Sequence, residues 1–243
     1  MPRQIRIVLV ETSHPGNIGA AARAMKTMCL ERLLLVNPVE FPHSEASARA
    51  SGATDILERA QVLASLDEAL AGCALVAGTS ARQRALGPAP LTPRDCVRQL
   101  MSVSPAQDVA VVFGRERTGL TNEETDRCHF LLQIPANPDY GSLNLAAAVQ
   151  VVAYEFMLAK QGMHTPAGQA PAYATSDEME GLYAHLEQAA RDSGFLDPEN
   201  PKHLMRRLRN LLNRARPEPS EVNILRGLLN ALQVRRGNPR RKA

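Results

Sequence analysis

The chain has no tryptophan, and aromatic residues make up only 4% of its 243 positions. Its core must therefore be built mainly from Leu, Val and Ala, within a hydrophobic content of 44%. No apolar run is long enough to cross a bilayer as a helix. Met-Pro-Arg-Gln-Ile-Arg leads straight into a strand, so no secretory signal is expected and the expected compartment is the cytoplasm. Cys29, Cys73, Cys96 and Cys128 form no Cys-x-x-Cys pair. Buried, reduced thiols are expected and a metal site is not. No Gly-x-Gly-x-x-Gly follows the first strand and no Gly-Lys-Ser/Thr occurs, which argues against a standard dinucleotide site and a P-loop.

Charge is nearly balanced overall, at +3, but unevenly placed. Residues 202–243 hold 12 Lys/Arg against two acids, a net of +10. The remainder carries 16 basic and 23 acidic residues, a net of −7. A mildly acidic body with a basic end points to a polyanionic partner for that end.

Short β-branched runs alternate with helical stretches. Arg6 to Glu11, Arg32 to Asn37, Gln61 to Ala64, Ala74 to Gly78, Asp108 to Phe113 and Phe130 to Ile134 read as strands. Helices are expected from Asn17 or Ile18, within Phe41 to Ser51, over Leu66 to Ala71, after Thr92-Pro93 and after the capping box Thr121-Asn-Glu-Glu124. This alternation predicts an α/β domain with a mainly parallel sheet. In such sheets ligands bind beyond the carboxyl ends of the strands. Polar or glycine-rich sequence follows three of them: Thr79-Ser80-Ala81, Gly114-Arg115-Glu116 and Ile134 through Asn144.

The last of these runs into an unusual helix. Ser142 reads as its N-cap, with Gly141 leaving the backbone open to a ligand. Leu143 to Leu158 then leaves almost no polar face, so the helix must be covered on all sides. One side suits the sheet and the other a second copy of the chain. Residues 161–175, with two glycines and two prolines, read as a linker. Beyond it, Thr175-Ser-Asp-Glu178, Asn200-Pro201 and Ser220 are expected to cap three helices. The expected organisation is an α/β domain at 1–160, the linker, and a basic helical extension at 176–243.

Pro-Gly-Asn-Ile-Gly-Ala-Ala-Ala-Arg (15–23), Phe-Gly-Arg-Glu-Arg-Thr-Gly-Leu (113–120) and Tyr-Gly-Ser-Leu-Asn-Leu-Ala (140–146) resemble the three motifs of the SPOUT class of RNA methyltransferases. Val-Glu-Thr-Ser-His (10–14), Gly-Thr-Ser-Ala-Arg (78–82) and the helical extension resemble its bacterial members that methylate the ribose 2′-oxygen of C or U at position 32 of tRNA. The resemblance implies a domain whose C-terminal part is threaded as a trefoil knot, a homodimer, and S-adenosyl-L-methionine as methyl donor. It implies that Thr79, Ser80, Ala81, Gly114, Ile134, Gly141, Ser142 and Leu143 line the donor's pocket. It places Asn17, Arg23, Glu116, Ser142 and Asn144 at the catalytic positions, with no metal. Arg82, Arg84 and Arg115, with Arg206, Arg207 and Arg209 of the extension, are the expected contacts to tRNA. A guanidinium stays charged in proteins. The role expected of Arg23 is therefore to grip a phosphate and stabilise the developing alkoxide.

Two other readings are open from the residues alone. One is a non-catalytic RNA-binding protein on the same fold. The other is an α/β enzyme for a small nucleotide-like molecule, with the basic end as a dimerisation module.

Overall fold

A computed structural model describes residues 3–81, 90–162 and 172–237. The sheet forms from runs that are apolar on both faces. β1 (Ile5–Val10) sends Ile5, Ile7 and Leu9 to one side and Val8 and Val10 to the other, all buried. Such a strand needs cover above and below, which is the condition for a parallel sheet.

Chain order is β1, α1 (Pro15–Thr27), β2 (Arg32–Val36), α2 (Ser44–Ala50), α3 (Thr54–Glu58), β3 (Gln61–Leu63), α4 (Leu66–Leu70) and β4 (Cys73–Thr79). There follow β5 (Pro90–Leu91), α5 (Pro93–Leu100), β6 (Asp108–Phe113), α6 (Asn122–Asp126), β7 (Phe130–Leu132) and α7 (Leu145–Gly162). The seven strands lie in the order β3-β2-β1-β6-β4-β7-β5, and every pairing is parallel. α1, α2, α3, α5 and α7 cover one face through a core that includes Ile18, Met25, Ile56, Val97, Val149 and Phe156. α4 and the 120–128 segment cover the other through Leu66, Leu70, Leu120 and Cys128. Gly19 lets α1 and α2 touch: a Cβ there would lie 2.0 Å from the Ala46 carbonyl oxygen.

Several helix starts differ from the sequence expectation. α1 begins at Pro15 because His14 caps it, its Nδ1 accepting from Gly16 N at 3.1 Å, with proline at the first turn. α7 is capped by Asn144 rather than Ser142: the Asn144 amide oxygen accepts from Ala146 N (2.9 Å) and Ala147 N (3.3 Å). Cys29 is exposed, while the other three thiols are buried as expected.

The extension comprises α8 (Ser176–Asp192), α9 (Leu204–Ala215) and α10 (Pro219–Gly237). Asn200-Pro201 does not open α9, since Lys202 adopts a left-handed φ of 49° that breaks the helical path. Ser220 lies inside α10, which Pro219 begins. Residues 163–171 of the expected linker lie outside the described residues. Met179, Leu182, Tyr183 and Val222 form the extension's own small core. The unit docks on the α4/α6 side of the sheet. Gly72 N donates to Asp177 Oδ1 at 2.9 Å, Arg206 Nε to Asp126 Oδ1 at 2.8 Å, and Asn213 Nδ2 to the Cys128 carbonyl at 3.3 Å.

His129 sits at the root of this interface. Its Nδ1 accepts from Val76 N at 3.2 Å, so the ring is neutral. Burial, with nearby Arg216 adding to it, pushes its pKa down from 6.5 to about 4. The unfolded chain therefore takes up a proton below about 6.5 that the folded chain refuses. Stability is expected to fall by about 3 kcal/mol between those two values and to level off below. Denaturant unfolding across this pH range checks it. A His129→Asn variant, less stable throughout, should show a visibly flatter dependence.

Candidate active site

The carboxyl ends of β4, β6 and β7 open into one cavity of about 740 Å³. Thr79, Ser80 and Ala81 enter from β4, Gly114 and Glu116 from β6, and Ile134 from the segment after β7. Gly141, Ser142 and Leu143 close it, with Leu145 and Ala148 from the start of α7. All eight residues expected to hold the methyl donor thus line the same space. Thr79 is fixed by its hydroxyl donating to the Val112 carbonyl at 3.1 Å, and Ser80 N donates to the Leu132 carbonyl at 3.0 Å. Leu120 to Glu123 line the cavity too. Leu120 ends the 113–120 motif, whereas Thr121, Asn122 and Glu123 read from sequence only as the capped start of a helix.

The loop after β6 folds back on itself. Gly119 N donates to the Arg115 carbonyl at 2.9 Å, and Gly119 takes φ 71°, which glycine adopts without strain. Arg115 spans two carboxylates. It donates to Glu11 at 2.6 and 2.8 Å and to Glu124 at 2.9 and 3.0 Å. Hydrogen bonds to both acids raise its pKa, and the Arg115 guanidinium holds Glu11 below the usual carboxylate range. Arg115, expected as a contact to tRNA, is tied in the fold to two carboxylates of its own chain. Its charge is already met, and its work is to tie the β1 end to the α6 cap.

At the mouth, Asn144 Nδ2 donates to Asn17 Oδ1 at 2.9 Å, and Asn17 Nδ2 donates to Glu116 Oε1 at 3.0 Å. Glu116 also accepts from Ser13 N (3.1 Å), Ser13 Oγ (2.9 Å) and His14 N (3.3 Å). Partial burial pushes its carboxyl up. The Asn17 amide, the Ser13 N–H and hydroxyl, and its own backbone outweigh that and hold it below the ordinary value. Three motifs distant in sequence therefore meet in one hydrogen-bonded line. Ser13 and His14, which anchor its far end, lie in the Val-Glu-Thr-Ser-His stretch (10–14) that carries part of the resemblance, but neither is among the expected site residues.

Arg23 does not line the cavity. It is exposed on α1, and its guanidinium makes no hydrogen bond or ion pair among the described residues. Arg82 and Arg84 lie outside the described residues. In the extension, Arg206 pairs with Asp126, and Arg209 holds Glu180 while lying 4.3 Å from the Tyr183 ring centre. Those two guanidinia, expected as contacts to tRNA, are engaged within the chain, whereas Arg207 is exposed. No cluster of His, Cys, Asp and Glu able to hold a metal occurs among the described residues. No helix among them is long and apolar enough to cross a membrane.

A parallel sheet with a cavity at its strand ends and a polar line at the mouth defines an α/β ligand-binding domain, and the chain belongs to the SpoU rRNA Methylase family, whose model matches residues 4–154. Residues 177–242 match a second model, the C-terminal domain of the tRNA methyltransferase TrmJ. The chain is 54% identical to the tRNA (cytidine/uridine/adenosine-2′-O-)-methyltransferase TrmJ of Pseudomonas aeruginosa, over 96% of each chain. It is 52% identical to the tRNA (cytidine/uridine-2′-O-)-methyltransferase TrmJ of Cronobacter sakazakii, over 97% of this chain and 98% of the relative. Among solved structures, TrmJ from Z. mobilis ZM4 superposes with a TM-score of 0.82 at 33% identity, covering 96% of this chain and 99% of that one.

Proposed function

We propose that this chain is a tRNA ribose 2′-O-methyltransferase that takes its methyl from S-adenosyl-L-methionine and acts on C or U at position 32. The meeting of the three motifs carries this reading: the second and third line one cavity, and Asn17 of the first joins them through Asn144 and Glu116. The cavity suits the donor: its volume of about 740 Å³ lies in the usual range for a ligand of that size. It offers apolar walls (Leu132, Ile134, Leu143) beside hydroxyls (Thr79, Ser80, Ser142). When bound, the donor supplies a methyl already activated on a sulfonium.

What remains is to align a poor nucleophile, the ribose hydroxyl. Asn144 and Asn17, braced by Glu116, hold the α1 and α7 mouths at a fixed spacing. Ser142, released from capping duty, is free to meet the ribose. Arg23 supplies positive charge to the phosphate and the developing alkoxide. Because Arg23 does not line the cavity of its own chain, a second copy delivers it. The near-continuous apolar surface of α7, with Tyr154 49% exposed, suits the dimer contact. The segment after β6 is threaded as the family's trefoil knot. The basic extension adds affinity for tRNA in the cytoplasm, with a steep dependence on salt.

Incubation with labelled methyl donor and unmodified tRNA, followed by nucleoside mapping, tests the reading. Label is expected in a 2′-O-methylpyrimidine at position 32. Donor binding without transfer to any tRNA would favour a non-catalytic RNA-binding role.

A further inference from the structure

In a chain with few aromatic rings, one is displayed to solvent beside the cavity. Tyr140 is 82% exposed, the highest value among the exposed large hydrophobic residues described. Its hydroxyl has no hydrogen-bond partner among the described residues. By contrast, Tyr183 is 2% exposed, and Tyr173 packs against the main core.

The backbone that carries the ring is held. Asp139 N donates to Asn137 Oδ1 at 3.0 Å and Tyr140 N to the Asn137 carbonyl at 3.0 Å. These bonds close the Asn137-Pro138-Asp139-Tyr140 turn. The next three residues, Gly141, Ser142 and Leu143, line the cavity. An aromatic face is therefore presented from a closed turn, one residue from the donor pocket, with no packing role in the chain itself.

We propose that Tyr140 is the stacking platform for an unpaired nucleobase of the RNA next to the reacting ribose. This rests on the RNA methyl-transfer reading above and adds a substrate-positioning residue to it. A loop nucleotide whose 2′-hydroxyl must reach the cavity has to leave its neighbours' stack, and an aromatic face replaces the stacking it gives up. Tyrosine presents that face at low conformational cost, since its side chain has few rotatable bonds. The platform is tolerant of base identity, because every base has a π-face.

The test uses the full chain, S-adenosylmethionine and an unmodified full-length tRNA transcript. Tyr140→Ala is expected to raise KM for tRNA about 5- to 100-fold, leaving KM for the methyl donor and the melting temperature unchanged. Tyr140→Phe keeps the face and is expected to stay near the natural KM. A Tyr140→Ala variant with the natural KM for tRNA would overturn the proposal. So would a Tyr140→Phe variant as impaired as the alanine, which would assign the effect to the hydroxyl. A change in oligomeric state in Tyr140→Ala would assign the ring to a subunit contact and also overturn it. If the natural chain transfers no methyl to tRNA, the enzymatic reading fails. Gel-shift affinities of the same variants for the same tRNA would then still decide the stacking role.

Discussion

Gly114→Ala is expected to bind S-adenosylmethionine about 100-fold more weakly than the natural chain and to lose methyl transfer in step. A Cβ at position 114 would lie 2.3 Å from Gly119 C and from Leu120 N, and 2.6 Å from the Gly119 oxygen. These are backbone atoms, which cannot turn aside as the end of a flexible side chain can. The loop would have to lift, carrying Arg115 away from Glu11 and Glu124, and Glu116 away from Asn17. The donor pocket and the polar line at its mouth would be disturbed together. Gly119→Ala is the control. There the added methyl meets open space but the backbone has φ 71°, so the cost is conformational strain of about 1–2 kcal/mol rather than collision. Calorimetric titration of both variants, with thermal unfolding alongside, separates the two. Gly114→Ala with natural donor affinity would remove this loop from the binding site.

The parallel sheet was legible because its strands are buried on both faces. Runs such as Asp108 to Phe113 have no alternation to mislead the reader, and turn residues bound them on both sides. The cavity was legible because glycine and hydroxyl residues gather after β4, β6 and the segment beyond β7, the ends where α/β sheets bind ligands. What escaped was set by contacts between distant segments. Nothing local says that Asn144 rather than Ser142 caps α7. The choice is stabilised from outside by Asn17, 127 positions away, whose Oδ1 accepts from the Asn144 side-chain amide. Likewise Arg115 looks like a phosphate contact in a Gly-Arg-Glu-Arg string. Only folding brings Glu11, 104 positions earlier, to claim it. The extension's arginines make the same point. Charge counting located a basic unit but could not tell Arg207, which is exposed, from Arg206 and Arg209, which hold their own chain's carboxylates.

Arg23→Ala is expected to lower the rate of methyl transfer by about 100- to 1000-fold without weakening donor binding or the fold. The side chain is exposed and makes no bond among the described residues, so its removal leaves no buried group unpaired. Arg23→Lys keeps the charge but loses the planar fork that can hold a phosphate oxygen and a second oxygen together. It is expected to be nearly as slow as the alanine, and near-natural turnover with lysine would argue against the two-pronged role. The subunit arrangement gives a second readout. If Arg23 acts on the cavity of the other copy, mixing Arg23→Ala chains with Gly114→Ala chains restores one complete site per mixed dimer. An intact pocket on the first chain would then receive Arg23 from the second. Random exchange between equal amounts of the two inactive proteins is expected to recover about one quarter of natural activity, as two-fold symmetry dictates. If Arg23 served its own chain, no mixed dimer would hold a working site and mixing would recover nothing.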